Sequence, residues 1–307
     1  MKWEKLGKVF ESAGQRSWAV SHASVPTPER ISGDLYRIYF TPRDAKGRSN
    51  IGSLIIDIKD PTKVLDIAEE PSLAPGQLGA FDDSGAMFSW IVQHQGKRWL
   101  YYIGWTLGVQ TPWRTSIGLA YADADAPEPR FQRHSVGPIL DRSMVDPFFV
   151  TNPCVLIEGD VWRMWYLSGI GWQDAAPAAP LPRYNVRYAE SRDGIHWNAT
   201  GHVCIDHMHP GEVAIGRPCV LREDGIYKMF YSYRGDAFGY RMGYAESPDG
   251  LQWTRRDELA GLASSTEGWD SQGMAYPTVF DHDGQHYMLY CGNNYSKGGF
   301  GIAALTG

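Results

Sequence analysis

Short runs of aromatic and aliphatic residues recur along the chain at nearly constant intervals. They are Leu35-Tyr36-Arg37-Ile38-Tyr39-Phe40, Trp99-Leu100-Tyr101-Tyr102, Trp162-Arg163-Met164-Trp165-Tyr166, Tyr227-Lys228-Met229-Phe230-Tyr231 and Tyr287-Met288-Leu289-Tyr290. With Tyr39, Tyr101, Trp165, Phe230 and Leu289 taken as equivalent, the intervals are 62, 64, 65 and 59 residues. A glycine, usually beside an acid, stands before each run, at Gly33, Gly96, Gly159, Gly225 and Gly284. Apolar runs this short, entered through Gly and Asp, predict strands that follow tight turns. No stretch carries a sustained 3.6-residue stripe, so little helix is expected.

The flanks of each run repeat as well. Ile117-Gly118-Leu119-Ala120-Tyr121-Ala122, Val186-Arg187-Tyr188-Ala189-Glu190-Ser191 and Met242-Gly243-Tyr244-Ala245-Glu246-Ser247 follow the runs. The last two continue into Asp193-Gly194-Ile195-His196-Trp197 and Asp249-Gly250-Leu251-Gln252-Trp253, a strand, an Asp-Gly turn and another strand. Asn152-Pro153-Cys154-Val155-Leu156, Arg217-Pro218-Cys219-Val220-Leu221 and Tyr276-Pro277-Thr278-Val279-Phe280 precede them. Each repeat thus holds about four short strands, which predicts an all-β fold, a five-bladed β-propeller of four-stranded antiparallel blades around a central channel. One domain, 1–307, is expected, with blades near 15–75, 80–140, 145–205, 210–265 and 270–307, the last closed by a strand over 3–10.

Composition narrows the partners. The net charge of −6 with no basic run argues against nucleic acid. No segment approaches the ~18 apolar residues of a membrane span. The start of the chain has no apolar signal-like core, which predicts a cytoplasmic protein. Cys154, Cys204, Cys219 and Cys291 form no CxxC pair and read as small core residues, so neither a metal nor a cofactor is expected. His207-Met208-His209 is read as a loop, because no further ligand accompanies it. Gln173 to Pro182, rich in Pro and Ala, is either a flap or a long loop.

In a propeller the first strand of each blade lines the channel, so residues at equivalent repeat positions meet at its mouth. Aligning Pro153, Pro218 and Pro277 gives Asn152, Arg217 and Tyr276, and the same register gives His22 and Ser89, five groups of a polar ring. Such a ring either binds a ligand or satisfies itself. Five or six residues earlier stand Asp83, Asp146, Glu212 and Asp270, with Asp82 beside Asp83. Acids in these loops are expected to gather at the mouth, raise one another's pKa and leave one protonated. That pairing suits glycosidic cleavage, which needs an acid for the leaving oxygen and a base or nucleophile. Trp105 and Trp172 lie after aromatic strands and could stack on sugar rings. Arg114, Arg183 and Arg241 precede equivalent strands and could reach the rim.

Ala-Glu-Ser-x-Asp-Gly-x-x-Trp at 189–197 and 245–253, Val145-Asp146-Pro147-Phe148 and Gly268-Trp269-Asp270-Ser271 resemble the five-bladed propeller clan of arabinanases, β-xylosidases, invertases, levansucrases and mannoside phosphorylases. The resemblance covers roughly residues 15–305. It implies a small carbohydrate or sugar-derived ligand, with Asp83 as base or nucleophile, Asp146 as orienting carboxylate and Glu212 as general acid. It departs from the clan where the inner strands carry Asn152, Arg217 and Tyr276 in place of an acid. Arg217 and His22 suit an anionic sugar or sugar phosphate. Two other readings stand beside it: a lyase, dehydratase or isomerase that uses His22, Tyr276 and Arg217, and a sugar-binding propeller without catalysis.

Overall fold

The structure is a computed structural model that describes residues 1–307. The protein is all-β. Its only helical turns are at Asp257–Leu259 and Asn293–Ser296.

The strands form units in chain order. β1 (Trp3–Phe10) is set aside for the last. β2 (Ser21–Ser32), β3 (Leu35–Arg43), β4 (Gly52–Asp57) and β5 (Val64–Ile67) make one four-stranded sheet. β6 (Gly85–His94), β7 (Lys97–Leu107), β8 (Trp113–Asp123) and β9 (Gln132–Arg133) make the next. β10 (Val150–Glu158), β11 (Val161–Gln173), β12 (Leu181–Ser191) and β13 (Asn198–Ile205) follow. Then come β14 (Glu212–Glu223), β15 (Ile226–Gly235), β16 (Arg241–Ser247) and β17 (Thr254–Arg255). These two groups share one eight-stranded sheet through a single parallel pair, Tyr184 with Ala214. β18 (Ala275–His282), β19 (Gln285–Cys291) and β20 (Phe300–Leu305) complete a sheet whose edge is β1, antiparallel to β20 from Trp3↔Leu305 to Phe10↔Phe300.

The aromatic runs are the second strands, β3, β7, β11, β15 and β19. Their side chains are buried on both faces, which is why they read as continuous apolar runs rather than alternating ones. The core is split among five large clusters, and each joins side chains of two neighbouring units. One unites Val9, Phe10, Leu289, Phe300 and Ile302 with Tyr36, Ile38 and Phe40, so the last unit packs on the first. The first strands likewise touch in succession, β2 to β6, β6 to β10, β10 to β14, β14 to β18 and β18 to β2.

Polar stitches reinforce each junction. The Sγ of Cys154 accepts the Val220 N–H, and that of Cys219 accepts the Val279 N–H, both at 3.3 Å. The Ser-x-Asp-Gly-x-x-Trp turns do the same at the other end. Asp193 Oδ1 accepts the N–H groups of Ile195 and His196 at 2.8 Å, and Asp249 repeats this with Leu251 and Gln252. Gly194 there has φ +71°, and a Cβ on it would lie 2.7 Å from the Trp162 ring, so the turn requires glycine. Its carbonyl accepts the Tyr101 hydroxyl of the preceding unit at 2.9 Å.

Candidate functional site

The residues aligned from the repeat share a backbone feature. His22, Asn152, Arg217 and Tyr276 have φ of 62°, 47°, 29° and 57°. The left-handed region is costly for such residues, on the order of 1–3 kcal/mol each, and is held only where the surroundings impose it. Each lies at a register shift between the first two strands of its unit: Ser21/Ser24, Thr151/Cys154, Gly216/Cys219 and Ala275/Thr278. Ser89 marks the same shift in the second unit, between Phe88 and Trp90, without the left-handed angle. Bulges of this kind re-aim a side chain.

These residues part into two kinds. Arg217 is 1% exposed, and both terminal nitrogens of its guanidinium bond to the protein while its Nε has no partner. It donates to the carbonyls of Pro277 at 2.9 Å and Ser89 at 3.1 Å, to Thr27 Oγ1 at 2.7 Å and to Thr278 Oγ1. Ser89 is buried and donates to the Pro153 carbonyl at 2.8 Å. Arg217 and Ser89, expected to face a substrate, tie units together, because carbonyls left bare by the bulges need donors. His22, Asn152 and Tyr276 differ. The His22 Nδ1 meets Ser21 Oγ at 2.9 Å, which leaves Nε2 free, and neither the Asn152 amide nor the Tyr276 hydroxyl has a protein partner.

Around His22 and Tyr276 lies a patch of cations and phenols. Burial, together with the charges of Arg43 and Lys297, lowers the His22 pKa to about 4. Burial, followed by the nearby Tyr240, Tyr184 and Tyr295, pushes the Tyr276 phenol well above its ordinary value. The Tyr276 and Tyr240 rings are 5.8 Å apart, Tyr240 and Tyr295 5.9 Å apart, and Tyr184 and Tyr240 share a hydroxyl bond of 2.6 Å. Arg234 faces the Tyr240 ring at 5.8 Å with a buried, unpartnered Nε. Isolated bridges from Arg43 to Ser49, and from Ser49 to Gly85, carry this neighbourhood toward Asp83.

The acids behave otherwise than expected. Asp82, Asp146, Glu212 and Asp270 are each at most 2% exposed, and each meets a cation of its own unit. Arg133 Nε reaches Asp82 at 2.7 Å, and Arg187 reaches Asp146 at 3.3 Å. Arg255 grips Glu212 with two bonds of 2.8 and 3.0 Å, and Lys5 reaches Asp270 at 2.6 Å. A tyrosine of the second strand donates to three of them: Tyr102 to Asp82 at 3.0 Å, Tyr166 to Asp146 at 2.9 Å and Tyr290 to Asp270 at 3.2 Å. Each of these tyrosines follows its acid by 20 residues.

This overturns the picture of carboxylates crowding one another into protonation. Burial would raise the Glu212 pKa, but the Arg255 bonds and the Met208 N–H outweigh it and hold the carboxyl below its usual range. A general acid needs the opposite shift, and here the Glu212 carboxyl is held by Arg255. Asp146 takes bonds from Tyr166 and Arg187, Asp270 from Lys5 and Tyr290, and Asp82 from Arg133 and Tyr102 at Oδ2, while its buried Oδ1 has no partner. The equivalent of Asp146 in the second unit is Asp82, one residue before the position the repeat spacing suggested. Asp83 is half-buried, accepts from Gly79 N–H at 3.1 Å and Ser84 Oγ at 2.9 Å, and has no cation on it.

The tryptophans are mainly covered. Trp172 packs edge-on against Trp113 at 4.8 Å and against Phe149 at 5.5 Å. Trp105 lies over Gly85, where a Cβ would come within 2.3 Å of its Nε1. The Pro/Ala-rich segment is the tip of the β11–β12 hairpin, whose pairing runs out to Gln173↔Leu181. His207 rests its Nε2 3.2 Å from the Tyr184 carbonyl. Repetition of an acid 20 residues before a tyrosine was the one sequence signal for the staples. Nothing local marked Arg43, Tyr240, Tyr295 or Lys297.

Comparison with known proteins places the chain in a family. Two curated proteins of Mycobacterium tuberculosis, "Uncharacterized protein MT1551" of strain CDC 1551 and "Uncharacterized protein Rv1502" of strain H37Rv, are each 44% identical over 305 residues, covering 99% of both chains. The chain belongs to their family. No protein-family model matches it. Among solved structures it is similar to one described as "Glycoside hydrolase" (TM-score 0.74, 19% identity, 98% of this chain and 91% of that one). It is also similar to Cellvibrio cellulosa α-L-arabinanase complexed with arabinohexaose (TM-score 0.65, 16% identity, 93% and 92%). A third is the endo-arabinase from Bacteroides thetaiotaomicron (TM-score 0.62, 13% identity, 98% of both). The fold is accordingly β-propeller-like, that of the arabinanase clan. No helix is long and apolar enough to cross a membrane.

Proposed function

We propose that the protein is a glycoside-processing enzyme, of hydrolase or phosphorylase type, built on a five-bladed propeller of one domain. Its blades are the units near 15–75, 80–140, 145–205, 210–265 and 270–307, the last closed by 3–10. Its ligand is a small, anionic, sugar-derived molecule held at the starting ends of the first strands. One observation carries this: His22, Asn152 and Tyr276, equivalent positions of three units, sit on left-handed backbone with polar groups that the protein leaves unpartnered. A sugar asks for such groups, with phenol faces beside them for its C–H surface. The likeness in fold to glycoside hydrolases supports the same reading. The buried unpaired cysteines suit a cytoplasmic setting.

Asp83 is the carboxylate available to move a proton at the glycosidic oxygen, because Asp146 and Glu212 hold their own blades. Water or phosphate would then take the sugar. A specific observation also favours a lyase or isomerase: His22 and Tyr276 are both strongly perturbed, and the charges acting on His22 are cations. The purified protein is to be incubated with glycosides, with and without phosphate, and with sugar acids, and the products followed by mass spectrometry. Loss of a cleavage product in Asp83→Asn supports the glycoside reading. An unsaturated or isomerised product that disappears in His22→Gln instead supports the second. Full turnover in Asp83→Asn overturns the role given to that residue.

A further inference from the structure

We infer that His22, Arg43 and Lys297 form an oxyanion site for the charged group of the sugar ligand, and that His22 takes up a proton when the site fills. This rests on the reading that the ligand sits at this end of the first strands. The three groups come from separate elements: β2, β3 and the turn before β20.

Their lack of countercharge is the first argument. Acids outnumber basic residues in the chain, 35 to 29, and Arg133, Arg255 and Lys5 each meet one, whereas Arg43, Lys297 and the neighbouring Arg234 do not. Neither Arg43 nor Lys297 has a carboxylate within salt-bridge reach. Three positive or protonatable groups left without an acid repel one another unless a ligand neutralises them.

The backbone is the second argument. His22 is presented on a left-handed bulge, and Lys297 follows three consecutive left-handed residues, Asn294, Tyr295 and Ser296, with φ of 54°, 55° and 68°. Strain is thus concentrated where two of the three groups are displayed. The Tyr240–Tyr276–Tyr295 rings adjoin as a wall for the uncharged part of the ligand.

Proton coupling follows from the neighbours. The titratable groups on elements packed against β2 at this end are Arg43 of β3, Tyr276 of β18, Cys291 of β19, and Tyr295 and Lys297 of the turn. The phenols and the buried thiol are shifted toward their neutral forms, all by burial first. An arriving phosphate or carboxylate would bring negative charge to His22, to which no carboxylate bonds, and would favour its protonated form.

The test is an NMR pH titration of the His22 ring in the full-length protein, free and with inorganic phosphate, a hexose 6-phosphate, a hexuronate and the parent hexose. We expect the charged ligands to raise the apparent pKa by at least one unit and to bind about tenfold more tightly than the hexose. Lys297→Gln and Arg43→Gln should each remove most of that advantage while the thermal melt stays in place. A preference for the phosphorylated sugar over the hexuronate identifies phosphate as the recognised group, and the reverse identifies carboxylate. Equal binding of hexose and its charged derivatives, or an unmoved His22, overturns the inference. If neutral glycosides are still cleaved in that case, the proposed function stands without it. If no sugar of either kind perturbs resonances at this end, both fail.

Discussion

The two ends of β2 handle charge in opposite ways. At its far end Arg30 binds Asp283 with bonds of 2.9 and 3.1 Å, His282 Nε2 meets Asp34 at 3.2 Å, and Lys59 also pairs with Asp34. Asp34, His282 and Asp283 have metal-like spacing, yet Lys59 and Arg30 already neutralise both acids, so the group works as a latch between the last unit and the first. At the near end His22 stands beside Arg43 and Lys297 with no acid to offset them. Within this far-end group each charge has an opposite partner. At the near end, charge is left unanswered on strained backbone, and this is where we propose that the ligand sits.

The buried acids lie on the paired side of this comparison, although the repeat suggested the other. Glu212→Gln would leave Arg255 buried against half its partners, and breaking a buried pair typically costs about 3–5 kcal/mol. Urea unfolding should show that loss, while the fraction that remains folded still binds sugar. A stable Glu212→Gln protein without turnover would move Glu212 to the unpaired side and break the comparison. Asp83→Asn is the converse. Turnover should fall by about 10²–10⁴-fold, the usual range for a positioned acid or base. Stability should change by no more than about 0.5 kcal/mol, since no ion pair is lost.

A smaller effect appears in the pH dependence. The His22 pKa is about 4 in the folded chain, below its ordinary value of 6.5. The unfolded chain therefore binds more protons between these values, and stability falls as pH drops from 6.5 toward 4. After allowance for solvent screening the loss is on the order of 1–2 kcal/mol. It should vanish in His22→Gln and shrink when phosphate is present. Glu212 and Asp270 carry lowered pKa values, so their contribution is intact above the ordinary carboxylate range and disappears only as pH falls below it. The smallest effect belongs to the far-end latch. Arg30→Gln, at an exposed pair, should barely move the urea midpoint and should leave both sugar binding and the His22 titration unchanged.

Much of the architecture was legible because it is written in local patterns. The aromatic runs became the second strands, and the Asp-Gly turns closed as their spacing suggested, since a bound Asp side chain and a left-handed glycine need only a few neighbouring residues. Three prolines and the repeat register also led to the bulged positions, so His22, Asn152, Arg217 and Tyr276 emerged as equivalents with the same unusual backbone. The sequence could therefore determine which residues stand at the repeated bulge. It could not determine what each one faces. Arg217 turned inward onto carbonyls of other units, 59 to 128 residues away, while Tyr276 stayed open.

The same limit governed the acids. Their cations arrive from later or outer strands, Arg133 at a separation of 51 residues and Lys5 at 265, and no short window of sequence holds both partners. A carboxylate on its own reads as chemistry. Only the tertiary structure brought an arginine or a lysine onto Asp82, Asp146, Glu212 and Asp270 and placed no carboxylate on His22. Spacing along the chain fixes local conformation, but charge depends on distance through space, and the packing of whole units sets that distance.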